Sequence, residues 1–289
     1  MTSRSSLPQV LGGQEYSLPH TVFSSPTSLC IPFRPVKVQL DRTRTIQDFE
    51  FSFELIECLP MELKIPTPRT FSFRRTVVSH GWYQLLPFTL NTGDSQNWEL
   101  TRVIDLGAKP PATIFMTGRK NHVRVTTSRP LTKTEMAIVL RDGRHILRLD
   151  DNLESFYSAT ADDPEFAWIG EQGAGRLLRS PTVFEDLVKM ICTTNCSWAL
   201  TLKMVTGLVE NLGRETNDGR KSFPGAETMA SMPISFFVEE VRAGYRAPYL
   251  KELADRVASG ELNVEQWLTT DLPTPDLVKQ IKGVKGVGD

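Results

Sequence analysis

The hydrophobic period of this chain changes once, near Asp150, and that change restricts it to an architecture with strands and helices segregated along the sequence. Before the change, short runs rich in β-branched and aromatic residues read mostly in period two: "RTFSFRRTVV", "GWYQLLPFTL", "WELTRVIDL", "ATIFMTG" and "HVRVTT". Turn residues separate some of them, at Asn91-Thr92-Gly93-Asp94 and at Gly118-Arg119-Lys120-Asn121. A meander of antiparallel strands is therefore expected. "LTKTEMAIVLRDG" then predicts a helix capped by Thr132, carrying Met136, Ile138, Val139 and Leu140, and ended by Gly143.

Past Asp150 the apolar residues recur every three or four positions. "PTVFEDLVKMICTTN" places Pro181 at a first helical position and Val183, Leu187, Val188 and Ile191 on one face. "SWALTLKMVTGLVENLG" has Leu200, Met204, Leu208 and Leu212 four apart and stops at Gly213. "YLKELADRVASG" gives a third helix, and "TPDLVKQIKG" a fourth, with Thr274 as cap and Leu277, Ile281 and Val284 as its stripe. The expected whole is α+β: an antiparallel sheet over 61–150, then a helical bundle over 151–289.

The first sixty residues follow neither period. Up to Leu40 the only acidic residue is Glu15, while Ser, Thr, Pro and Gly are frequent, so 1–60 reads as a flexible tail or a misassigned start, with Met61 opening the patterned chain. An organelle transit peptide shares that composition, but Arg4 is the only strong cation before Arg34 and no amphipathic face forms. No stretch approaches the ~18 apolar residues of a membrane span. The four cysteines give no disulfide framework; Cys192 and Cys196, four apart, are expected as stacked neighbours on one helix, and a reducing intracellular compartment fits best. With a net charge of −1, a polyanionic partner must be met by local cationic clusters.

The sequence closes on "TPDLVKQIKGVKGVGD". A helix followed by Gly286-Val287-Gly288, with another helix expected next, is the first half of a helix-hairpin-helix. Its glycines permit left-handed angles and let backbone amides approach a phosphate. An ordinary glycine cap and turn would produce the same letters, so this motif is weak alone.

Three stretches in order make it specific. An Ile-Cys-Thr-Thr-Asn helix end (191–195), a Gly-Tyr-Arg-Ala-Pro-Tyr stretch (244–249) and the Gly-Val-Gly turn together resemble the helix-hairpin-helix DNA glycosylase superfamily, in particular its 8-oxoguanine and 3-methyladenine branch. The resemblance covers roughly 62–289, where 61–150 is similar to that family's TATA-binding-protein-like sheet domain. It implies base excision repair: a damaged purine, oxidised or alkylated, is flipped out of double-stranded DNA and its N-glycosidic bond hydrolysed. By the same resemblance Asn195 fills the gap and meets the widowed base, Tyr245 is the wedge and Arg246 faces the partner base. Gly286, Val287 and Gly288 grip phosphate. The carbonyls of Lys282, Val284 and Val287 match those that hold a structural monovalent cation, and no other cofactor is implied. The ordinary alternatives are a helix cap for Asn195, core packing for Tyr245 and a solvated helix start for Arg246. Lys285 replaces the family's usual proline and is either a further phosphate contact or merely exposed. The expected protein is a monomer without a membrane partner, acting in the cytoplasm or nucleoid of a bacterium or the nucleus of a eukaryote.

The chain also departs from the family. Leu200 stands where 8-oxoguanine enzymes carry a second arginine, and Thr70 where a glycine carbonyl reads the oxidised purine. The family's catalytic aspartate, and the lysine of members with lyase activity, follow the hairpin, so no catalytic residue is expected within 1–289. The chain is accordingly expected to be truncated and inactive as it stands. The alternative is a non-catalytic protein that binds damaged DNA with the same hairpin and wedge.

Overall fold

Period two gives a sheet and period 3.6 gives helices in a computed structural model that describes residues 62–93 and 97–287. The expected tail (1–60), Met61, Asp94, Gly288 and Asp289 lie outside the described residues. The strands are β1 (Glu62–Pro66), β2 (Phe88–Asn91), β3 (Glu99–Ile104), β4 (Ala112–Gly118) and β5 (His122–Thr127). They form one antiparallel sheet in the order β1-β5-β4-β3-β2, so β2 to β5 are the expected meander. β1, which the period did not announce, closes on β5 with Leu63 opposite Val125 and Ile65 opposite Val123. One face carries Ile65, Phe88, Leu100, Ile114, Met116, Val123 and Val125 into a buried core.

Two expected strands are corrected. "RTFSFRRTVV" is not a strand: Phe73–Val77 is a short helix, α1. Its alternation lasts only from Phe71 to Phe73, after which the buried residues Phe73, Thr76 and Val77 follow a helical spacing. In "GWYQLLPFTL" the first half is a 3₁₀ turn, Trp82–Gln84, and only Phe88–Asn91 is extended. Trp82 is drawn away by a tertiary bond, its indole N–H donating to Asp186 Oδ1 at 2.7 Å.

α2 (Lys133–Ile146) covers the sheet's core face. Its cap is the expected Thr132, closed as a reciprocal box: Glu135 N–H donates to Thr132 Oγ1 (3.2 Å) and Thr132 N–H to Glu135 Oε2 (2.7 Å). Gly143 does not end it. The helix runs one turn further, and Gly143 is the point where β1 approaches: a Cβ there would lie 2.5 Å from Ile65 Cδ1.

α3 (Glu154–Ala161) and α4 (Trp168–Glu171) bury no residue fully. α5 (Val183–Thr193), α6 (Trp198–Leu212), α7 (Ala226–Ala230), α8 (Ile234–Glu239), α9 (Ala247–Ala258) and α10 (Thr274–Lys282) surround a second core built from Leu187, Val188, Ile191, Met204, Leu208, Phe237, Leu250 and Leu253. Pro181 precedes α5 rather than opening it. Thr182 is the cap, bonded to Glu185 N–H at 3.3 Å, and the Glu265 carboxylate accepts from the N–H groups of Val183 and Phe184 at 2.9 and 3.0 Å. An acid at a helix amino terminus meets both its orphan donors and its dipole. Among the described residues no helix is long and apolar enough to cross a membrane.

The sheet and the bundle meet through buried charge. Arg102, on the core face of β3 beside Phe88, donates two bonds to Glu185 of α5 (3.1 and 2.5 Å), and Lys189 Nζ donates to the same carboxylate at 2.6 Å. All three are 2% exposed or less. Burial pushes the Glu185 carboxyl up, but the neighbouring charges of Arg102 and Lys189 more than reverse this and hold it below its usual value.

Candidate nucleic-acid interface

One loop and two turns, from distant parts of the chain, converge near the start of α9. The loop follows α5. Thr194 is the extended C-cap, and Asn195 sits one residue beyond it at φ +46°, exposed. Asparagine is among the few residues that adopt this left-handed geometry readily, and it is found there at helix ends. The chain then enters α6 through Ser197, whose hydroxyl accepts from Leu200 N–H. Cys196 lies in this loop and not on the helix, so the two cysteines are not stacked neighbours along one face; its thiol donates to the Cys192 carbonyl at 3.2 Å. Burial pushes the Cys192 thiol up to about 12, which leaves it inert.

The second element is the 3₁₀ turn Gly244–Arg246. Tyr245 is 52% exposed, which is not core packing. Its hydroxyl donates to the Thr194 carbonyl at 3.4 Å. Arg246 is 4% exposed, so it is not a solvated helix start either. Its guanidinium turns inward, donating from Nε to Thr194 Oγ1 at 3.3 Å and from Nη2 to the Thr194 carbonyl, and lies 4.4 Å from the Tyr245 ring centroid. Among the described residues no carboxylate pairs with it. The structure thus brings Asn195, Tyr245 and Arg246 together, with Arg246 behind the other two.

The third element is the hairpin turn. α10 is preceded by Pro273, not capped by the Thr274 side chain, and Val284 is buried at its end. Gly286 takes φ +87° and Val287 N–H donates to the Val284 carbonyl at 3.3 Å. Lys285 Nζ lies 2.7 Å from Glu252 Oε2 on α9, so it is ion-paired as well as exposed. Gly288 is outside the described residues.

Sequence reasoning passed over Thr194, Tyr249 and Glu252, which bind these pieces together. Thr194 and Tyr249 each left a signal, as members of the Ile-Cys-Thr-Thr-Asn and Gly-Tyr-Arg-Ala-Pro-Tyr stretches, whereas Glu252 left none. Thr70 lines a separate cavity of about 340 Å³ with Tyr157 and Gly170. Its carbonyl lies so close to Gly173 that a side chain on that glycine would collide with it. Among the described residues no group of His, Cys, Asp and Glu is arranged to hold a metal.

No family model matches the chain. The N-glycosylase/DNA lyase of Saccharomyces cerevisiae is 28% identical over 155 residues, which are 49% of this chain and 41% of that protein; the matched region therefore spans less than half of that relative's length. Among solved structures, the apo-form 8-oxoguanine glycosylase/lyase of Clostridium acetobutylicum superposes with a TM-score of 0.58 at 20% identity, covering 78% of this chain and 73% of that one. The 3-methyladenine DNA glycosylase of Archaeoglobus fulgidus gives 0.60 at 19% identity, covering 78% and 75%.

Proposed function

We propose that this chain, which has the fold of the helix-hairpin-helix DNA glycosylases, is a base excision repair glycosylase that turns a damaged purine, oxidised or alkylated, out of duplex DNA so that its N-glycosidic bond can be hydrolysed. The observation that carries this is the exposed pair Tyr245 and Asn195, projecting from a turn and a loop that buried Arg246 fastens together. A flipped base leaves a gap about one stacked pair deep, and a phenol ring and an amide are the groups that fill and satisfy it. The ring stacks on the flanking pair, worth ~1–3 kcal/mol. The amide offers donors and an acceptor to the widowed base.

The hairpin turn supplies the other half of the reading. Backbone near Gly286 is bare enough to meet a phosphate, which sets position without reading sequence. Lys285 would leave Glu252 for that phosphate at little cost, because exposed pairs are worth at most ~1 kcal/mol. The carbonyls of Lys282, Val284 and Val287 would be the oxygens to hold a monovalent cation, as backbone carbonyls do for potassium. Such an ion would add positive charge at the grip and take no part in bond cleavage. Cleavage itself needs a group that stabilises the positive charge growing on the sugar, and a lysine amine would add lyase chemistry. No residue of 1–289 is assigned to either task. The proposed partner is duplex DNA bound by a monomer, in whichever compartment holds the genome.

The test is fluorescence anisotropy with two duplexes that differ only in one stable abasic analogue, at equal salt. The expected result is tighter binding to the abasic duplex, lost when Tyr245 is replaced by Ala. Equal affinity for both duplexes would overturn the reading.

A further inference from the structure

Tyr249 stands between the hairpin turn and the wedge and touches both. A Cβ built on Gly286 would fall 2.7 Å from Tyr249 Cδ2 and 3.2 Å from its Cβ and Cγ. Those atoms are the root of the ring and not a flexible end, so the turn lies against the ring as closely as a glycine permits. On the other side, the Tyr249 ring stands edge-on to that of Tyr245, centroids 6.2 Å apart and planes at 77°. Tyr245 then reaches Thr194 directly and through Arg246, and Thr194 is the residue before Asn195. One turn further along α9, Glu252 holds Lys285. The Tyr249 hydroxyl has no hydrogen-bond partner among the described residues, so every contact it makes here is through its ring.

We propose that Tyr249 is a positioning residue that couples the hairpin's hold on the DNA backbone to the placement of Tyr245 and Asn195, acting through its ring and not its hydroxyl. The proposal rests on the wedge-and-grip reading above. The turn cannot shift under a phosphate without pressing on this ring, and the ring is rooted in α9, the helix that carries the wedge at its start. The coupling is reciprocal, because displacing the wedge must move the turn by the same contacts.

The experiment uses the full 289-residue chain, with Tyr249→Phe, Tyr249→Leu, Gly286→Ala and the Tyr249→Leu/Gly286→Ala double variant. The first readout is the ratio of affinities for the abasic-analogue and intact duplexes. Tyr249→Phe should leave that ratio within about two-fold. Tyr249→Leu and Gly286→Ala should each lower it by about five-fold or more, and the double variant should lose no more than the worse single one. The second readout needs no DNA: the fluorine resonance of Tyr245 in fluorotyrosine-labelled protein, assigned with Tyr245→Phe. Gly286→Ala should move it when Tyr249 is present and leave it in place in the Tyr249→Leu background. Equal losses for Phe and Leu, additive losses in the double variant, or a Tyr245 resonance indifferent to Gly286→Ala would each overturn the coupling. A wild-type chain with no abasic preference would instead defeat the functional reading, and the resonance would then decide the coupling by itself.

Discussion

Of the three arginines buried among the described residues, two are held by different means. Arg102, at the seam between sheet and bundle, is 2% exposed and shares Glu185 with Lys189, so its charge is answered by a carboxylate. Arg246, behind the proposed wedge, is 4% exposed and, among the described residues, its side chain meets the neutral Thr194 and the face of Tyr245. A charge taken from water without a counter-charge is held weakly. The seam is thus built to stay as it is. The proposed wedge keeps a positive charge beneath the surface with no carboxylate paired to it among the described residues, which suits a site whose proposed partner brings the negative charge.

The largest effect should come from breaking the seam. Glu185→Gln would leave Arg102 and Lys189 facing each other without a carboxylate, and removing one partner of a buried charge group costs about 3–5 kcal/mol. A urea denaturation series should show the midpoint falling accordingly. Replacing Arg102, Glu185 and Lys189 together by apolar residues of similar volume should recover most of the loss. A single Gln variant as stable as wild type would mean the seam is no more anchored than the wedge.

Beside the seam, His145 gives a pH test of similar order. Burial first, and then the Arg179 charge, hold its imidazole down to about 4, against an ordinary 6.5. Between those values the unfolded chain takes up a proton that the folded chain refuses. Stability is therefore full above pH 6.5 and declines as pH falls towards 4, by less than the ~3 kcal/mol of a fully buried ring, because water reaches part of the imidazole. Comparing wild type with His145→Gln isolates this group from the carboxylates: the variant should lack the slope in that window. Parallel curves would show that His145 is open to water.

Arg246→Met should behave differently from Glu185→Gln. It removes the unanswered charge together with its bonds, leaving the half-buried Thr194 carbonyl to the Tyr245 hydroxyl, a penalty of about 1 kcal/mol. Preference for the abasic duplex should fall as well, because the loop bearing Asn195 loses its fastening. Tyr245→Ala should be milder still for folding, within about 0.5 kcal/mol as for exposed side chains generally, while the abasic preference drops by ~1–3 kcal/mol. Non-specific binding should hardly change, since phosphates supply most of it. Equal loss on both duplexes would make Tyr245 a packing residue like those of the seam.

Much of the comparison was legible in the letters, and the part that was not has a physical cause. Parity along "WELTRVIDL" already sets Arg102 on the same face as Leu100 and Ile104, so its burial was readable although it went unread. Glu185 and Lys189 were hidden for a better reason. An acid and a lysine four apart on a helix look like a surface pair, and only the arrival of β3 makes them core. At the wedge, exposure of Tyr245 and the left-handed turn at Asn195 suit residue types that sequence names directly. The inward turn of Arg246 does not, because it depends on a carbonyl 52 positions away. The helix at Phe73–Val77 was misread for a related reason, as three alternating residues cannot outweigh a helical burial pattern that emerges only on packing against β4.

The smallest expected effect lies at the rim of the wedge, with Lys285. Its partner Glu252 is 35% exposed and Lys285 itself 63%, so water competes for both charges and the pair should add at most ~1 kcal/mol to folding. Lys285→Ala should accordingly leave the urea midpoint almost unchanged, in contrast to any change at the Arg102 cluster. On DNA the same substitution should weaken intact and abasic duplexes equally, and flatten the plot of log affinity against log salt by about one unit, the signature of one lost phosphate contact. Glu252→Gln should do the reverse, releasing Lys285 and tightening both duplexes by a small factor. An unchanged salt slope in Lys285→Ala would mean that this lysine serves only Glu252, leaving backbone amides as the turn's means of holding a phosphate.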